Sequence, residues 1–160
     1  MKELPVRRNI RLKEYDYSQT GYYFITICIK GRHMLLGSID VGARIARPSE
    51  IGRKVEIAMQ KISEKYENIM LDKYVIMPNH IHMILVLQQT DSGGRAMRAP
   101  TISTVVNQFK GYITKQTGFS IWQKLFHDHI IRNEEEYRRI WQYIDENPTK
   151  WQDDFYFIKG

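Results

Sequence analysis

Two histidines separated by one residue, His80 and His82, sit inside the apolar stretch Tyr74-Val75-Ile76-Met77-Pro78-Asn79-His80-Ile81-His82-Met83-Ile84-Leu85-Val86-Leu87. On a strand they project from the same face, about 6.5–7 Å apart along it. Two imidazoles held side by side on a rigid element can ligate one divalent cation, although a pair of satisfied core histidines would read the same way. A second useful pair follows. Tyr112 and Gln116 are four residues apart and share one face of a helix. Two imidazoles and one amide oxygen would hold Mg²⁺ or Mn²⁺ and leave positions open for a phosphate oxygen. A phenol has a pKa near 10, so Tyr112 as a nucleophile needs help from a metal, a lysine or a base. Lys110 and Lys115 are near enough in sequence to supply positive charge. The set suits metal-assisted phosphoryl transfer by a tyrosine.

Competing chemistries are weaker. His127-Asp128-His129 repeats the His-x-His spacing, but its charged middle residue marks an exposed edge. A zinc hydrolase lacks the acidic residue of a His-Glu-x-x-His helix. There is no glycine-rich phosphate loop and no serine nucleophile elbow.

The elements that must position these groups follow from periodicity. Tyr22 to Ile29 is rich in β-branched and aromatic residues and predicts a buried strand. Lys30-Gly31-Arg32 turns it into a shorter strand, Met34 to Ile39, as a hairpin. Val41 to Pro48 reads as a basic loop. Ser49 caps a helix to about Tyr66, with Ile51, Val55, Ala58, Met59 and Ile62 on one face. Strands three and four cover about 69–77 and 80–87, and a polar loop covers 88–101. Ser103 caps a helix over 104–117. Gly111 inside that helix costs about 1 kcal/mol relative to alanine; it is either tolerated or present to let something approach Tyr112. Residues 121–131 read as extended. Asn133 and Glu136 form a capping box for a helix over 134–146, with Tyr137, Ile140, Trp141 and Ile144 as its apolar stripe and Tyr143 as a core or cap residue. Asn147-Pro148 stops it, and the tail from Trp151 packs back on the body. The order implies an α+β fold with an antiparallel sheet, helices on one face and the other face partly open, in a single domain spanning 1–160.

The 160 residues carry a formal net charge of +6, and 12% are aromatic, including 10 tyrosines. Basic and aromatic together is the composition of a nucleic-acid binder. Arg7, Arg8 and Arg11 form a basic arm; Arg44 with Arg47, and Arg95 with Arg98, form two similar basic loops before helices. All suit phosphate contact. Cys28 is the only cysteine, so no intrachain disulfide is possible and a reducing cytoplasm fits. No apolar run is long enough to span a bilayer, and the N-terminus lacks the apolar core of a signal peptide.

Met77-Pro78-Asn79-His80-Ile81-His82-Met83-Ile84-Leu85 resembles the His-hydrophobic-His motif of the HUH superfamily of single-strand DNA transposases. Arg7 to Leu12 followed by Tyr15-Asp16-Tyr17 resembles the opening of the REP-associated tyrosine transposases. Phe109-Lys110-Gly111-Tyr112 resembles that family's nucleophile helix, and Tyr143 to Pro148 with Trp151 its C-terminal signature. The resemblance spans nearly the whole chain. It implies a ferredoxin-like fold with an added C-terminal helix and tail. It implies Mg²⁺ or Mn²⁺ on His80, His82 and Gln116, and Tyr112 attacking DNA to give a 5′-phosphotyrosine and a free 3′-OH. It implies single-stranded or hairpin DNA with REP-like palindromes as partner, and a monomer rather than a dimer. The alternative from another class is a non-catalytic hairpin or single-strand DNA-binding module.

Overall fold

A computed structural model describes residues 21–40, 45–88, 101–154 and 156. The basic arm and the 88–101 loop fall largely or wholly outside these residues, so Arg7, Arg8, Arg11, Arg44, Arg95 and Arg98 lie outside the described residues.

Four strands form the main sheet: β1 (Gly21–Cys28), β4 (Ile69–Met77), β5 (His80–Leu87) and β6 (His127–Ile131). Their order is β4-β5-β1-β6, every neighbouring pair antiparallel. Helix α1 (Glu50–Gln60), continued by the one-turn α2 (Ile62–Lys65), connects β1 to β4. Helix α3 (Ile102–Thr117) connects β5 to β6, and α4 (Glu134–Glu146) follows β6. Two βαβ halves joined by the β4–β5 hairpin give the ferredoxin-like split arrangement. The remaining strands among the described residues, β2 (Gly37–Asp40) and β3 (Ile45–Pro48), pair with each other and with none of these four. The expected β1–β2 hairpin therefore does not form, and the end of the expected basic loop is a strand.

β5 explains the layering. Its register places His80, His82, Ile84 and Val86 on one face and Ile81, Met83, Leu85 and Leu87 on the other. The second set packs with Tyr23, Ile25 and Ile27 of β1, Val55 and Met59 of α1, and Val105, Phe109 and Ile113 of α3. On the first face, Ile84 and Phe24 pack with Ile140, Tyr143 and Ile144 of α4. Beyond them, Cys28 and Met77 pack with Trp151 and Tyr156. The face expected to be partly open is thus covered by α4 and the residues after it. Burial on both sides is the reason β5 reads as a continuous apolar run rather than an alternating one.

Local signals set the helix ends. Ser49 Oγ accepts from Gly52 N at 3.0 Å and donates to Leu35 O at 2.6 Å, tying α1 to the preceding loop. Gly52 is needed there, because a Cβ would lie 2.0 Å from Leu36 O. Helix α3 starts earlier than expected, capped by Thr101, whose Oγ1 accepts from Thr104 N, and ends on left-handed Gly118 at φ 85°. Asn133 caps α4 by accepting from Glu136 N at 2.8 Å, but the Glu136 carboxylate reaches past it to Arg132 N. Trp141, expected on the buried stripe, lies at the surface beneath Lys73, whose ammonium is 3.8 Å from the ring and bonds Asp145 at 2.8 Å.

Candidate active site

The alternation of β5 brings His80 and His82 together beneath α4. Both are fully buried, and their Nε2 atoms are 3.1 Å apart. Each Nδ1 has its own partner. His80 Nδ1 is 2.8 Å from Asn79 Oδ1, and His82 Nδ1 is 2.8 Å from Thr26 Oγ1 on β1. Asn79 is oriented by donating through Nδ2 to Tyr156 O at 2.7 Å, so its oxygen faces His80 as an acceptor. A neutral imidazole with its hydrogen on Nδ1 keeps a lone pair on Nε2. Asn79 and Thr26 therefore suit both rings to bind a cation through their adjacent Nε2 atoms.

Asp154 supplies an acidic oxygen to the same place. One ligand atom from each of His80, His82 and Asp154 lies within 4.8 Å of the others, the only such cluster of three among the described residues. Two imidazoles and a carboxylate fit a divalent cation. Asn147 is the C-cap of α4. Asn147 is 3% exposed, and its Oδ1 has no hydrogen-bond partner among the described residues. A buried amide oxygen without a donor is costly unless something else satisfies it.

Aromatic rings wall the site. Phe24 stacks on His82 with centroids 5.3 Å apart, and Tyr156 lies 4.3 Å from His80. The Tyr143 ring is 5.3 Å from His82, at 62°. Tyr143 and Asn147 are four residues apart along α4 and its last turn, so they share a face. A second tyrosine-plus-amide pair, Tyr143 on α4 and Asn147 at its C-cap, therefore exists, with the Tyr143 ring against His82. It was hidden in the sequence because Tyr143 falls next to the apolar stripe and reads as packing.

Tyr112 and Gln116 are not brought to the histidines. Helix α3 packs through Val105, Phe109 and Ile113 on the opposite sheet face, so the sheet itself lies between. Tyr112 is 45% exposed and lines a groove against α1 and α2, and Gln116 is exposed. Lys110 is not a displayed cation. Its Nζ donates to Gln123 O at 2.9 Å and Lys124 O at 3.1 Å, and burial lowers its pKa. It clamps α3 to the turn before β6. Lys115 is exposed, and Arg47 is exposed on β3 with its guanidinium 4.0 Å from Asp40. His127 and His129 share the site face of β6; His129 Nε2 is 3.1 Å from Glu136 Oε2.

No family model matches the chain. It is 34% identical to an uncharacterised protein of Haemophilus influenzae over 95% of this chain and 93% of that protein. It is 32% identical to the REP-associated tyrosine transposase of Escherichia coli over 50% of this chain and 44% of that one. It is 25% identical, over 84% of this chain and 74% of the relative, to a second H. influenzae protein provisionally named a REP-associated tyrosine transposase. Among solved structures, a REP-associated tyrosine transposase bound to a REP hairpin superposes with a TM-score of 0.65 at 24% identity, covering 89% of this chain and 74% of that one. A provisionally named transposase of Deinococcus radiodurans superposes at 0.50 with 17% identity, covering 86% and 96%. No helix among the described residues is long and apolar enough to cross a membrane. In sequence the chain is thus similar to two proteins that carry the name REP-associated tyrosine transposase, and its fold agrees with that of a solved one.

Proposed function

We propose that this chain cleaves and rejoins single-stranded or hairpin DNA with Tyr143 as the nucleophile. The observation that carries the reading is the Tyr143 ring against His82, with the Asn147 amide one turn on. His80 and His82 would hold Mg²⁺ or Mn²⁺ through Nε2, with Asp154 or Asn147 as an oxygen ligand. Such a cation, when bound, offsets the charge on the phosphate oxygens in the transition state. Tyr143 Oη attacks phosphorus, the phenolic proton passes to water, and the P–O3′ bond breaks. The products are a 5′-phosphotyrosine and a 3′-oxygen that takes a proton from water. Because the covalent link keeps a phosphodiester, attack by a 3′-OH reverses the step without a nucleotide cofactor. Hairpin DNA is the substrate favoured by the net charge of +6 and by the hairpin held in the structurally similar transposase. Trp151, Asp154 and Tyr156 pack over the histidines, so a phosphate meets Nε2 only once that segment lifts.

A second reading, a DNA-binding module without chemistry, draws on the complete burial of His80 and His82. One assay separates the two. Oligonucleotides labelled at the 3′ end and carrying imperfect hairpins are incubated with protein and Mn²⁺, then run on a denaturing gel. The expected result is a labelled covalent adduct that needs metal, survives in Tyr112→Phe and is lost in Tyr143→Phe. An adduct that persists in Tyr143→Phe overturns the assignment. DNA binding without an adduct, across several hairpins and both metals, supports the module.

A further inference from the structure

On the sheet face away from the histidines, α1, α2 and α3 enclose a groove of about 240 Å³. Its floor includes Ile62, Val105 and Phe109, and its rim carries Lys61, Lys65 and Tyr112. Neither lysine has a carboxylate partner among the described residues; Lys65 Nζ lies 5.4 Å from the Tyr66 ring. Lys61 and Lys65 are four residues apart and share one side. Helix α3 contains no Asp or Glu in its 16 residues, so nothing on that wall opposes an anion. Tyr112 stands 45% exposed at the lip.

Gly111 adds an independent observation. A Cβ built there would meet nothing within 4 Å, and its φ is ordinary for a helix. Neither packing nor backbone conformation requires glycine at that position. It nevertheless weakens α3 relative to alanine, and it leaves the backbone beside Tyr112 bare for close approach.

We propose that this groove is a second nucleic-acid subsite, which takes one unpaired nucleotide of single-stranded DNA. The base stacks on Tyr112 over the apolar floor, and the flanking phosphates meet Lys61 and Lys65. The small volume fits one base and excludes duplex. The like-charged rim favours a polyanion over a second copy of this chain, whose own lysines would oppose it across a two-fold interface. The inference rests on the DNA reading above and assigns Tyr112 to binding rather than to chemistry.

The test is fluorescence anisotropy with full-length protein and two labelled DNAs: a hairpin with single-stranded flanks and the same hairpin with blunt ends. Tyr112→Ala should weaken binding to the flanked hairpin by about 5- to 150-fold and leave the blunt one unchanged. Tyr112→Phe, which keeps the ring, should bind within about twofold of wild type. Replacing Lys61 and Lys65 by Gln should lower the slope of log K against log salt by about 1.4, two contacts at about 0.7 each. Wild-type affinity of Tyr112→Ala for the flanked hairpin would overturn the subsite and leave the DNA reading intact. The same holds if Tyr112→Ala only dissociates a dimer in sedimentation. Failure of wild-type protein to bind either DNA would overturn both.

Discussion

Thr26→Val removes one oxygen and leaves the shape of the side chain almost unchanged. Thr26 is 1% exposed in the middle of β1, and its Oγ1 lies 2.8 Å from His82 Nδ1. Valine keeps the β-branch that suits the strand. What it deletes is the acceptor for the Nδ1 hydrogen that His82 must carry to offer Nε2 to a cation. A buried N–H left without a partner costs about 1–3 kcal/mol. Loss of such an outer partner of a metal-bound histidine typically lowers metal affinity 10- to 100-fold, or about 1.4–2.8 kcal/mol. The two estimates agree because they describe the same orphaned hydrogen. The assay is calorimetric titration of Mn²⁺ into wild type, Thr26→Val and Thr26→Ser. Serine keeps the hydroxyl and should bind within about threefold of wild type. The melting temperature of metal-free Thr26→Val should fall by about 2–12 °C, at about 2–4 °C per kcal/mol for a chain of this size. Mn²⁺ affinity in Thr26→Val within twofold of wild type would refute the orientation argument. If serine proved as weak as valine, the hydrogen bond would not be the cause.

Asp154→Asn should weaken Mn²⁺ binding at least about tenfold if the carboxylate is a ligand, and unchanged affinity would leave Asn147 as the third donor. Asn147→Ala should cut the rate of adduct formation while leaving the melting temperature close to wild type, since its Oδ1 has no hydrogen-bond partner among the described residues; single-turnover kinetics with a melting curve checks both. Burial acts to raise the pKa of Glu136, but the Arg132 N–H, His129 and Arg139 outweigh it and hold the carboxyl below its ordinary 4.5. A depressed folded-state pKa gives stability that is present above the ordinary value and lost as pH falls below it. The melting-temperature gap between wild type and Glu136→Gln should therefore shrink below about pH 4.5, and a gap constant from pH 7 to 3 would refute the pairing. Gly52→Ala forces a Cβ against Leu36 O, and thermal denaturation should show a loss of about 1–3 kcal/mol or more.

What was legible in the sequence was whatever depends on neighbours along the chain. Ser49, Asn133 and the apolar spacing of α1 and α4 mark their helices because caps and helix faces are local. The pair His80 and His82 was legible because a strand alternates regardless of what covers it. Strand pairing was less so. Tyr22 to Ile29 and Met34 to Ile39 look like a hairpin, yet β1 pairs with β5 and β6, and β2 turns back on β3. Nothing local in β1 distinguishes a neighbour ten residues away from one sixty away. Asp154 and Thr26 were invisible as site residues for the same reason. Only the tertiary fold brings β1 and the residues after α4 to β5.

The proposed nucleophile shows where spacing stops and parity takes over. Tyr112 with Gln116 and Tyr143 with Asn147 are the same motif, a phenol and an amide one turn apart. Each follows the histidine strand, and each lies near a stripe of apolar residues that could be core. The difference is which sheet face the helix covers. Val105, Phe109 and Ile113 commit α3 to Ile81, Met83 and Leu85, while Ile140 and Ile144 commit α4 to Ile84 and Phe24. Since β5 side chains alternate, His80 and His82 share the face of Ile84. A one-residue slip of β5 would carry them to the face of α3, but it would also bury Ile81, Met83 and Leu85 against α4 and break the packing around α1. The residues between the histidines and after them therefore decide which tyrosine they meet, and that residue is Tyr143.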